Sequence, residues 1–290
     1  MGINKNKIFI LTIFMVLLLT FSISVQAEFE MVNVPAGTSS DYLEEEDIEL
    51  AYDLEIANYI ITNNQFVEFL NDAEISADGS FEDEKLIHMD TVYCQIAHDG
   101  EEFHVKEWTD SEGEEINIGQ YPVLAVTWYG AVAYTNWLSE KDGLTPAYDL
   151  NSWELKDEPE EVEGYRLPTS EEWIYAARGG EEGEETVYAG SAELDEVGWY
   201  QDNSDQPGNA DLRDSKGTMP VGEKEPNELG IYDMSGNVWE WTNTADGFYR
   251  VLLGGSWHGF DFLCEVGYEY NYAKYNSSFN ISFRPVRTVF

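Results

Sequence analysis

The chain has few basic residues. Its 290 residues include 15 Lys or Arg against 57 Asp or Glu, which gives a formal net charge of −42 at pH 7. Such a charge repels polyanions, which argues against nucleic acid or an anionic membrane as a partner. The acids are spread along the chain, as expected for solvated surface loops. A uniformly acidic surface suits a high-salt medium that screens the self-repulsion, and we therefore expect a halophilic host.

Long apolar runs are also scarce, and the one that stands out extends from Ile8 to Phe21. It follows Lys5 and Lys7 and precedes the small-residue sequence Val25-Gln-Ala27, which together form the pattern of a signal peptide. The run is too short for a comfortable membrane span. We predict a signal peptide over residues 1–27, a secreted or cell-surface protein, and no membrane insertion after cleavage. An uncleaved N-terminal anchor is the alternative.

Cysteine is rare, and no proline-rich or Gly/Ser linker is present. The two cysteines, Cys94 and Cys264, allow one disulfide in an exported chain, but the sequence does not decide whether they lie close enough to form it. Repeats and low-complexity tracts are absent, so one domain is predicted over residues 28–290.

No Ser/His/Asp arrangement stands out, and no glycine-rich loop has the lysine and spacing of a phosphate-binding loop.

Three segments have the apolar spacing of helices: residues 63–73, 128–139 and 170–180. Between the first two, Asp99-Gly100 is a typical hairpin turn sequence. After Gly180, glycine or proline recurs every several residues, which is typical of loops and short strands. The pattern predicts a loop-rich α+β domain with few helices.

A run of interleaved glycines, tryptophans and acids lies in the C-terminal third: Asn227-Glu-Leu-Gly-Ile-Tyr-Asp-Met-Ser-Gly-Asn-Val-Trp-Glu-Trp241, followed by Gly254-Gly-Ser-Trp257. It resembles the signature of the formylglycine-generating enzyme (sulfatase-modifying factor) family. Further blocks match in the family's order, at residues 31–37, 60–70, 121–128, 164–180 and 282–287. The resemblance implies the family's C-type-lectin-like fold, which has little regular structure.

Side-chain oxygens of Asp233, Asn237 and Glu240 lie within eight residues of each other, around Gly236. Oxygen ligands at such spacing suit calcium. In the resembled family, the positions of Asp233 and Glu240, with the carbonyls of Gly236 and Val238, form a calcium site. All four positions match, so the resemblance implies calcium as a cofactor. The alternative is that Glu240 only accepts hydrogen bonds from backbone amides in a buried turn.

A second calcium site of the family would involve Asn203 and Ser204 with a later acid, for which Asp211 and Asp214 are candidates. The loop over residues 205–217 is shorter than the usual one in the family, which argues against this second site.

Enzymes of the family oxidise a substrate cysteine to formylglycine with molecular oxygen and copper(I). Two thiolates hold the copper, and soft thiolates select copper(I). The two cysteines lie two and seven positions after the tryptophan of Gly-Gly-Ser-Trp, where this chain has Gly259 and Cys264. Glycine offers no ligand, and His258 beside one thiolate is not the family's site.

This departure predicts a protein without copper and without oxidase activity, in which Cys264 is a small core residue. The alternative is a formylglycine-generating-type oxidase, or another oxidative modifying enzyme of the same family, with an altered site in which Cys264 is catalytic.

The stretch between Trp257 and Phe283, here called the aromatic segment (residues 258–282), is rich in rings. Seven of its 25 residues are aromatic, against 14% of the chain, and Lys274 is its only Lys or Arg. Tyr combined with Asn and Ser on a scaffolded loop is typical of binding surfaces. The segment also resembles the variable region of retroelement-diversified proteins, which carry the same lectin-like variant.

We therefore predict a non-catalytic protein that binds an unknown protein or small-molecule ligand. Its acidic rim favours a neutral or cationic ligand. The alternative is a tyrosine-rich family member whose segment is an ordinary hydrophilic face. The candidate ligand-binding residues are His258, Phe260, Asp261, Phe262, Tyr270, Asn271, Tyr272, Tyr275, Asn276, Ser278 and Phe279.

Overall fold

The computed structural model describes residues 30–40, 47–109, 114–205 and 216–290. The predicted signal peptide lies outside these ranges. The helices in them are α1 (Asn63–Asp72), α2 (Trp128–Lys141), α3 (Ser170–Ala177) and α4 (Leu194–Val197). In the part of the chain that is described, no helix has the length and apolar character needed to cross a membrane.

The strands are short. They are β1 (Met31–Val34), β2 (Gly37–Ser40), β3 (Asp47–Leu50), β4 (Leu54–Ala57), β5 (Ser80–Phe81), β6 (Glu84–Lys85), β7 (Ile96–His98), β8 (Phe103–Val105), β9 (Trp108–Thr109), β10 (Glu115–Ile116), β11 (Tyr148–Asp149), β12 (Glu154–Leu155), β13 (Trp239–Asp246), β14 (Tyr249–Leu253), β15 (Tyr270–Ala273), β16 (Ile281–Ser282) and β17 (Val286–Thr288).

The three predicted helices are present, and each begins after a threonine cap. Thr62 Oγ1 accepts a hydrogen bond from the amide of Gln65, and the Gln65 side chain accepts one from the amide of Thr62. This reciprocal capping box satisfies two amides that a helix start would otherwise leave unpaired. Thr127 and Thr169 cap α2 and α3 through their side chains. The single-turn helix α4 was not predicted, because its four residues are too few to show a helical period.

Two sheets form the frame of the domain. The larger has the strand order β15-β14-β13-β16, and β16 pairs in parallel with β13. The smaller, β1-β4-β17, brings the first and last strands together on either side of β4. The other described strands pair in twos, and the predicted hairpin turn at Asp99-Gly100 joins β7 to β8 with His98 opposite Phe103.

The four-stranded sheet separates two hydrophobic clusters. Trp241 and Leu252 pack on one side with α1 and α2. Val251 and Leu253 pack on the other side with α3. Side chains alternate between the two faces of a strand, so one sheet can serve both clusters. The sheet is therefore covered on both faces, and its edge strand β15 is exposed to solvent at Tyr270 and Asn271.

An ion pair lies at the centre of this arrangement. Glu240 on β13 is fully buried, and Arg284 donates to both of its carboxylate oxygens at 2.7 Å. The indole of Trp173 on α3 adds a third hydrogen bond at 2.9 Å. Arg284 also donates to the carbonyls of Ala57 and Tyr232 at 3.1 and 2.9 Å. One carboxylate and one guanidinium thus join α3, both sheets and the signature loop.

Arg284→Met should strongly destabilise the protein, because it leaves the Glu240 carboxylate buried without a counter-charge. We expect the free energy of unfolding to fall by about 3–5 kcal/mol in a denaturant titration. The control is Arg287→Met, which breaks a partly exposed pair with Glu55 and should cost about 1 kcal/mol or less. Similar losses in the two variants would contradict a central role for the buried pair.

Candidate functional site

Two tyrosine rings of the edge strand β15 pack against two tryptophan rings of β13. The ring of Tyr270 lies 5.8 Å from that of Trp239, and the ring of Tyr272 lies 6.0 Å from that of Trp241. The two tyrosine rings are 6.3 Å apart. Since residues i and i+2 of a strand share a face, this row follows from the sheet register. Tyr270 is 50% exposed while Trp239 is nearly buried, so the row runs from the core to the surface.

A second part of the row comes from the short 3₁₀ turn over residues 261–264. Phe260 and Phe262 stack at 6.1 Å, and Phe262 meets Tyr268 edge-on at 6.0 Å. Tyr268 then contacts Trp239 at 6.3 Å. The rings from Phe260 to Tyr272 are thus in continuous contact. Trp239 and Tyr268 belong to this row although they were not among the predicted site residues.

The buried residue Ser277 holds the far end of the segment against a distant loop. Its carbonyl accepts hydrogen bonds from the hydroxyls of Tyr93 and Tyr272 at 3.3 and 3.5 Å. Its hydroxyl pairs with Nδ1 of His88 at 2.8 Å, and burial lowers the pKa of His88. Tyr93 also packs against Phe279 at 6.2 Å. No local sequence signal reveals His88 and Tyr93 as supports, because they lie more than 180 residues away along the chain.

The predicted ligand-binding residues differ in exposure. Those exposed to solvent are His258, Phe260, Asp261, Phe262, Tyr270, Asn271 and Tyr275. Those half-buried are Tyr272, Asn276, Ser278 and Phe279. The second group therefore supports the surface more than it covers it, as the bond from Tyr272 to Ser277 illustrates.

Cys264 lies beneath this surface as a fully buried thiol. It packs in a small cluster with Tyr188, Leu194 and Val197. Burial raises the pKa of the Cys264 thiol to about 12. A copper ligand or a nucleophile must be a thiolate, and in the absence of a metal this environment favours the protonated thiol.

The two cysteines do not form a disulfide. Both are free and buried, and Cys94 belongs to the cluster around α1 and α2. Burial also raises the pKa of the Cys94 thiol. The question that the sequence left open is thus answered by their positions in separate clusters.

One predicted calcium ligand, Asp233, is a buried carboxylate whose hydrogen-bond donors among the described residues are uncharged. Asp233 accepts hydrogen bonds from the Gly222 amide at 2.8 Å and from the Asn237 side chain at 3.4 Å. Burial raises the pKa of Asp233 to about 6. A bound cation would offset this cost, so Asp233 fits a calcium ligand.

Glu240, the other predicted carboxylate ligand, is engaged by Arg284 and Trp173. The alternative to calcium was that Glu240 only accepts hydrogen bonds from backbone amides. Its hydrogen-bond donors are instead the Arg284 guanidinium and the Trp173 indole. Its Oε1 accepts from Arg284, which leaves a lone pair for a metal. Within the described residues, no group of three or more His, Cys, Asp or Glu side chains could hold a metal; the predicted site uses two carboxylates and two carbonyls.

Two residues considered for a second calcium site are engaged in hydrogen bonds within the protein. Asn203 donates to the Gly198 carbonyl at 2.9 Å and accepts from the Tyr200 amide at 2.8 Å. Ser204 donates to the carbonyl of Trp257 at 3.0 Å. The other two candidates, Asp211 and Asp214, lie outside the described residues.

A loop-rich α+β fold with a glycine–tryptophan signature around a buried carboxylate defines a domain of the formylglycine-generating type. The sequence model of the sulfatase-modifying factor enzyme 1-like domain matches residues 21–289, and the chain belongs to this family.

Two solved structures share the fold over most of the chain. Treponema denticola variable protein 1 matches with a TM-score of 0.63 and 25% identity, over 90% of this chain and 95% of that one. CarF matches with a TM-score of 0.62 and 26% identity, over 90% of this chain and 99% of that one. These matches confirm the predicted family resemblance and fold class.

Two relatives found by sequence similarity align with a smaller share of the chain. It is 36% identical over 194 residues to the chaperone protein LppX of Paenibacillus barcinonensis, spanning 56% of this chain and 69% of the relative. It is 33% identical over 143 residues to the inactive C-alpha-formylglycine-generating enzyme 2 of Bos taurus, spanning 48% of this chain and 39% of the relative.

The stability of the fold should depend on pH through Asp233, and calcium should raise the Tm through the same side chain. The folded pKa of about 6 exceeds the ordinary 3.8, so the folded state binds this proton more tightly. In calcium-free buffer the contribution of Asp233 to stability therefore falls as pH rises from 3.8 to about 6. Asp233→Asn should remove that fall, and at pH 7 it should lose the rise in Tm that calcium gives the unchanged protein.

The measurement is thermal unfolding with and without calcium at constant high salt. Asp72→Asn, which changes an exposed acid at the end of α1, should keep the full calcium response. An equal response in Asp233→Asn would show that Asp233 is not a ligand.

Both thiols should be unreactive in the folded protein. Because burial shields the thiols and raises their pKa values, an aromatic disulfide reagent at pH 8 should label neither within the time that labels a free thiol. In denaturant without reductant, both thiols should react. Rapid labelling of folded Cys264 would indicate an accessible thiolate, and no labelling in denaturant would indicate a disulfide.

Proposed function

We propose that this protein is an exported, non-catalytic member of the family that binds a ligand through the aromatic segment. The observation that carries the proposal is the continuous row of rings, half-exposed at Phe260, Phe262 and Tyr270 and anchored on the core tryptophans. Rings already held in place lose little conformational freedom on binding. Asp261 and Asn271 stand exposed beside them and can adjust hydrogen bonds to a partner.

The state of the oxidase centre supports a non-catalytic role. Gly259 offers no thiolate where the enzymes have their first cysteine. The remaining thiol, Cys264, has its pKa raised to about 12 by burial. The bovine relative named an inactive C-alpha-formylglycine-generating enzyme supports the same interpretation, since it lies in the same family.

The names of two other proteins agree with binding. The Treponema protein is called a variable protein, which supports a diversified ligand-binding role for the segment. The Paenibacillus relative is called a chaperone, and recognition of another polypeptide is a form of ligand binding. On this proposal the ligand is an unknown protein or small molecule that is neutral or cationic overall, because the net charge of −42 repels anions.

Export and calcium complete the proposal. The signal peptide over residues 1–27 would deliver the domain to the cell surface or medium. One calcium ion, held by Asp233 and Glu240 with the carbonyls of Gly236 and Val238, would stabilise the signature loop beneath the aromatic row. Its role here is structural, because it would compensate a buried carboxylate.

Tyr270→Ser combined with Tyr275→Ser should abolish binding and leave the fold intact. The two side chains are 50% and 60% exposed, so their loss removes contact area for a ligand and little core packing. Tyr272 is left unchanged because it is half-buried and bonded to Ser277. The measurement is enrichment of a random-peptide display library on residues 28–290 and on the double variant, with Tm as the check of folding.

Equal enrichment on the two proteins would count against the aromatic segment as the binding surface. The opposing activity is tested by loading the unchanged protein with copper(I) and supplying a cysteine-containing sulfatase peptide and oxygen. We expect no formylglycine, and efficient formation of formylglycine would favour the oxidase alternative.

A further inference from the structure

Lys274 differs from every other basic residue that the structure describes. Within residues 30–40, 47–109, 114–205 and 216–290, each other Lys or Arg donates to a carboxylate or a backbone carbonyl; examples are Lys85 to Asp78 and Lys106 to the Cys94 carbonyl. Among these residues, the contacts of the Lys274 ammonium are with the rings of Trp128 and Tyr129. The chain has 57 acids for 15 bases, so a basic side chain without a carboxylate partner among the described residues is unexpected.

The ammonium of Lys274 is held by rings. It lies 5.2 Å from the ring centroid of Tyr129 and 5.8 Å from that of Trp128, the first two residues of α2. Such cation–π contacts favour one position of a flexible side chain. The backbone is held as well, since the Lys274 carbonyl accepts a hydrogen bond from the Trp128 amide at 3.1 Å. These contacts favour one placement of the side chain before any ligand binds.

Lys274 is also placed where a ligand would be. It is half-buried, and it follows β15 directly, between the edge-strand tyrosines and the exposed Tyr275. A positive charge that is held in place, without a carboxylate partner among the described residues and within the proposed binding surface, has the properties of an anion-recognition point. A charge-assisted hydrogen bond to such a point is stronger than a neutral one.

We propose that Lys274 recognises a single carboxylate on the ligand, which deepens the proposed function and rests on it. A carboxylate is favoured over a phosphate because the repulsion from a net charge of −42 grows with the charge of the ligand group. Asp261 and Glu269 are exposed on the same segment and favour cationic groups around that carboxylate. The ligand class is therefore a peptide, neutral or cationic overall, with one acidic side chain or a free C-terminal carboxylate.

The test uses peptides selected from the random library on residues 28–290. We expect these peptides to share one acidic position or a free C-terminus. Replacing that acid by its amide, or amidating the terminus, should weaken binding about tenfold or more. The two replacements separate the two sources of carboxylate. In Lys274→Met the carboxylate and amide peptides should bind equally, whereas Lys274→Arg should restore the preference for the carboxylate.

Lys141→Met is the matched control. The Lys141 ammonium also lies over a ring, that of Trp137 at 4.7 Å, but it has a carboxylate partner in Glu68. This variant should keep the full preference for the carboxylate peptide. The Tm of each variant must equal that of the unchanged protein, which shows that the fold is intact. Binding is measured at constant salt, because screening weakens charge effects.

The outcomes separate this proposal from the function on which it rests. Some peptides could need Tyr270 and Tyr275 and yet bind Lys274→Met with an unchanged preference for the carboxylate. That result overturns the role of Lys274 and leaves the proposed function standing. The single-carboxylate ligand class is overturned if the selected peptides carry several acids. It is also overturned if they carry no acid and bind equally well with an amidated C-terminus. If the unchanged protein enriches no peptide over the Tyr270→Ser/Tyr275→Ser variant, the proposed function fails and the role of Lys274 fails with it.

Discussion

The buried pair of Glu240 and Arg284 is the interaction on which the rest of the structure depends. Removing two charges from water is costly, and their attraction offsets the cost only when the geometry is good and the remaining lone pairs are satisfied. Here both carboxylate oxygens are bonded by Arg284, and Trp173 supplies a third donor. The pair also aligns β13 with β16, since Glu240 lies opposite Ser282 in the parallel register. That alignment directs Trp239 and Trp241 toward the side where the aromatic row begins.

The proposed binding surface is a continuation of the core and not a separate addition. Its rings begin at buried tryptophans and reach solvent at β15, which is an edge strand among the described residues. The loop with His88 and Tyr93 supports the opposite end through Ser277. Binding surfaces need side chains that are both exposed and held, and the edge of a sheet covered on both faces meets both requirements. Beneath this surface Cys264 packs against Tyr188, Leu194 and Val197, and burial raises the pKa of its thiol.

Much of the fold could be predicted from the sequence. The helices begin at threonine caps, and the hairpin turns at Asp99-Gly100, because these signals involve residues within a few positions of each other. The family signature led to the fold class, and Gly259 showed that a thiolate is missing, since both depend only on which residues occupy given positions. The richness of residues 258–282 in tyrosine and phenylalanine indicated a surface, and seven of the eleven predicted residues are exposed.

The tertiary structure decided what depends on distant parts of the chain. Composition marks Tyr270 and Tyr272 as similar residues, but the sheet register and the bond to Ser277 leave one exposed and the other half-buried. Only folding brings His88 and Tyr93 to the aromatic segment, pairs Glu240 with Arg284, and places the Lys274 ammonium over the Tyr129 ring. The sequence by itself therefore determined the family, the local elements and the loss of a thiolate, because each rests on residue identity or short-range spacing. Exposure, charge pairing and support of the surface were decided by contacts between residues far apart in sequence, which no local pattern encodes.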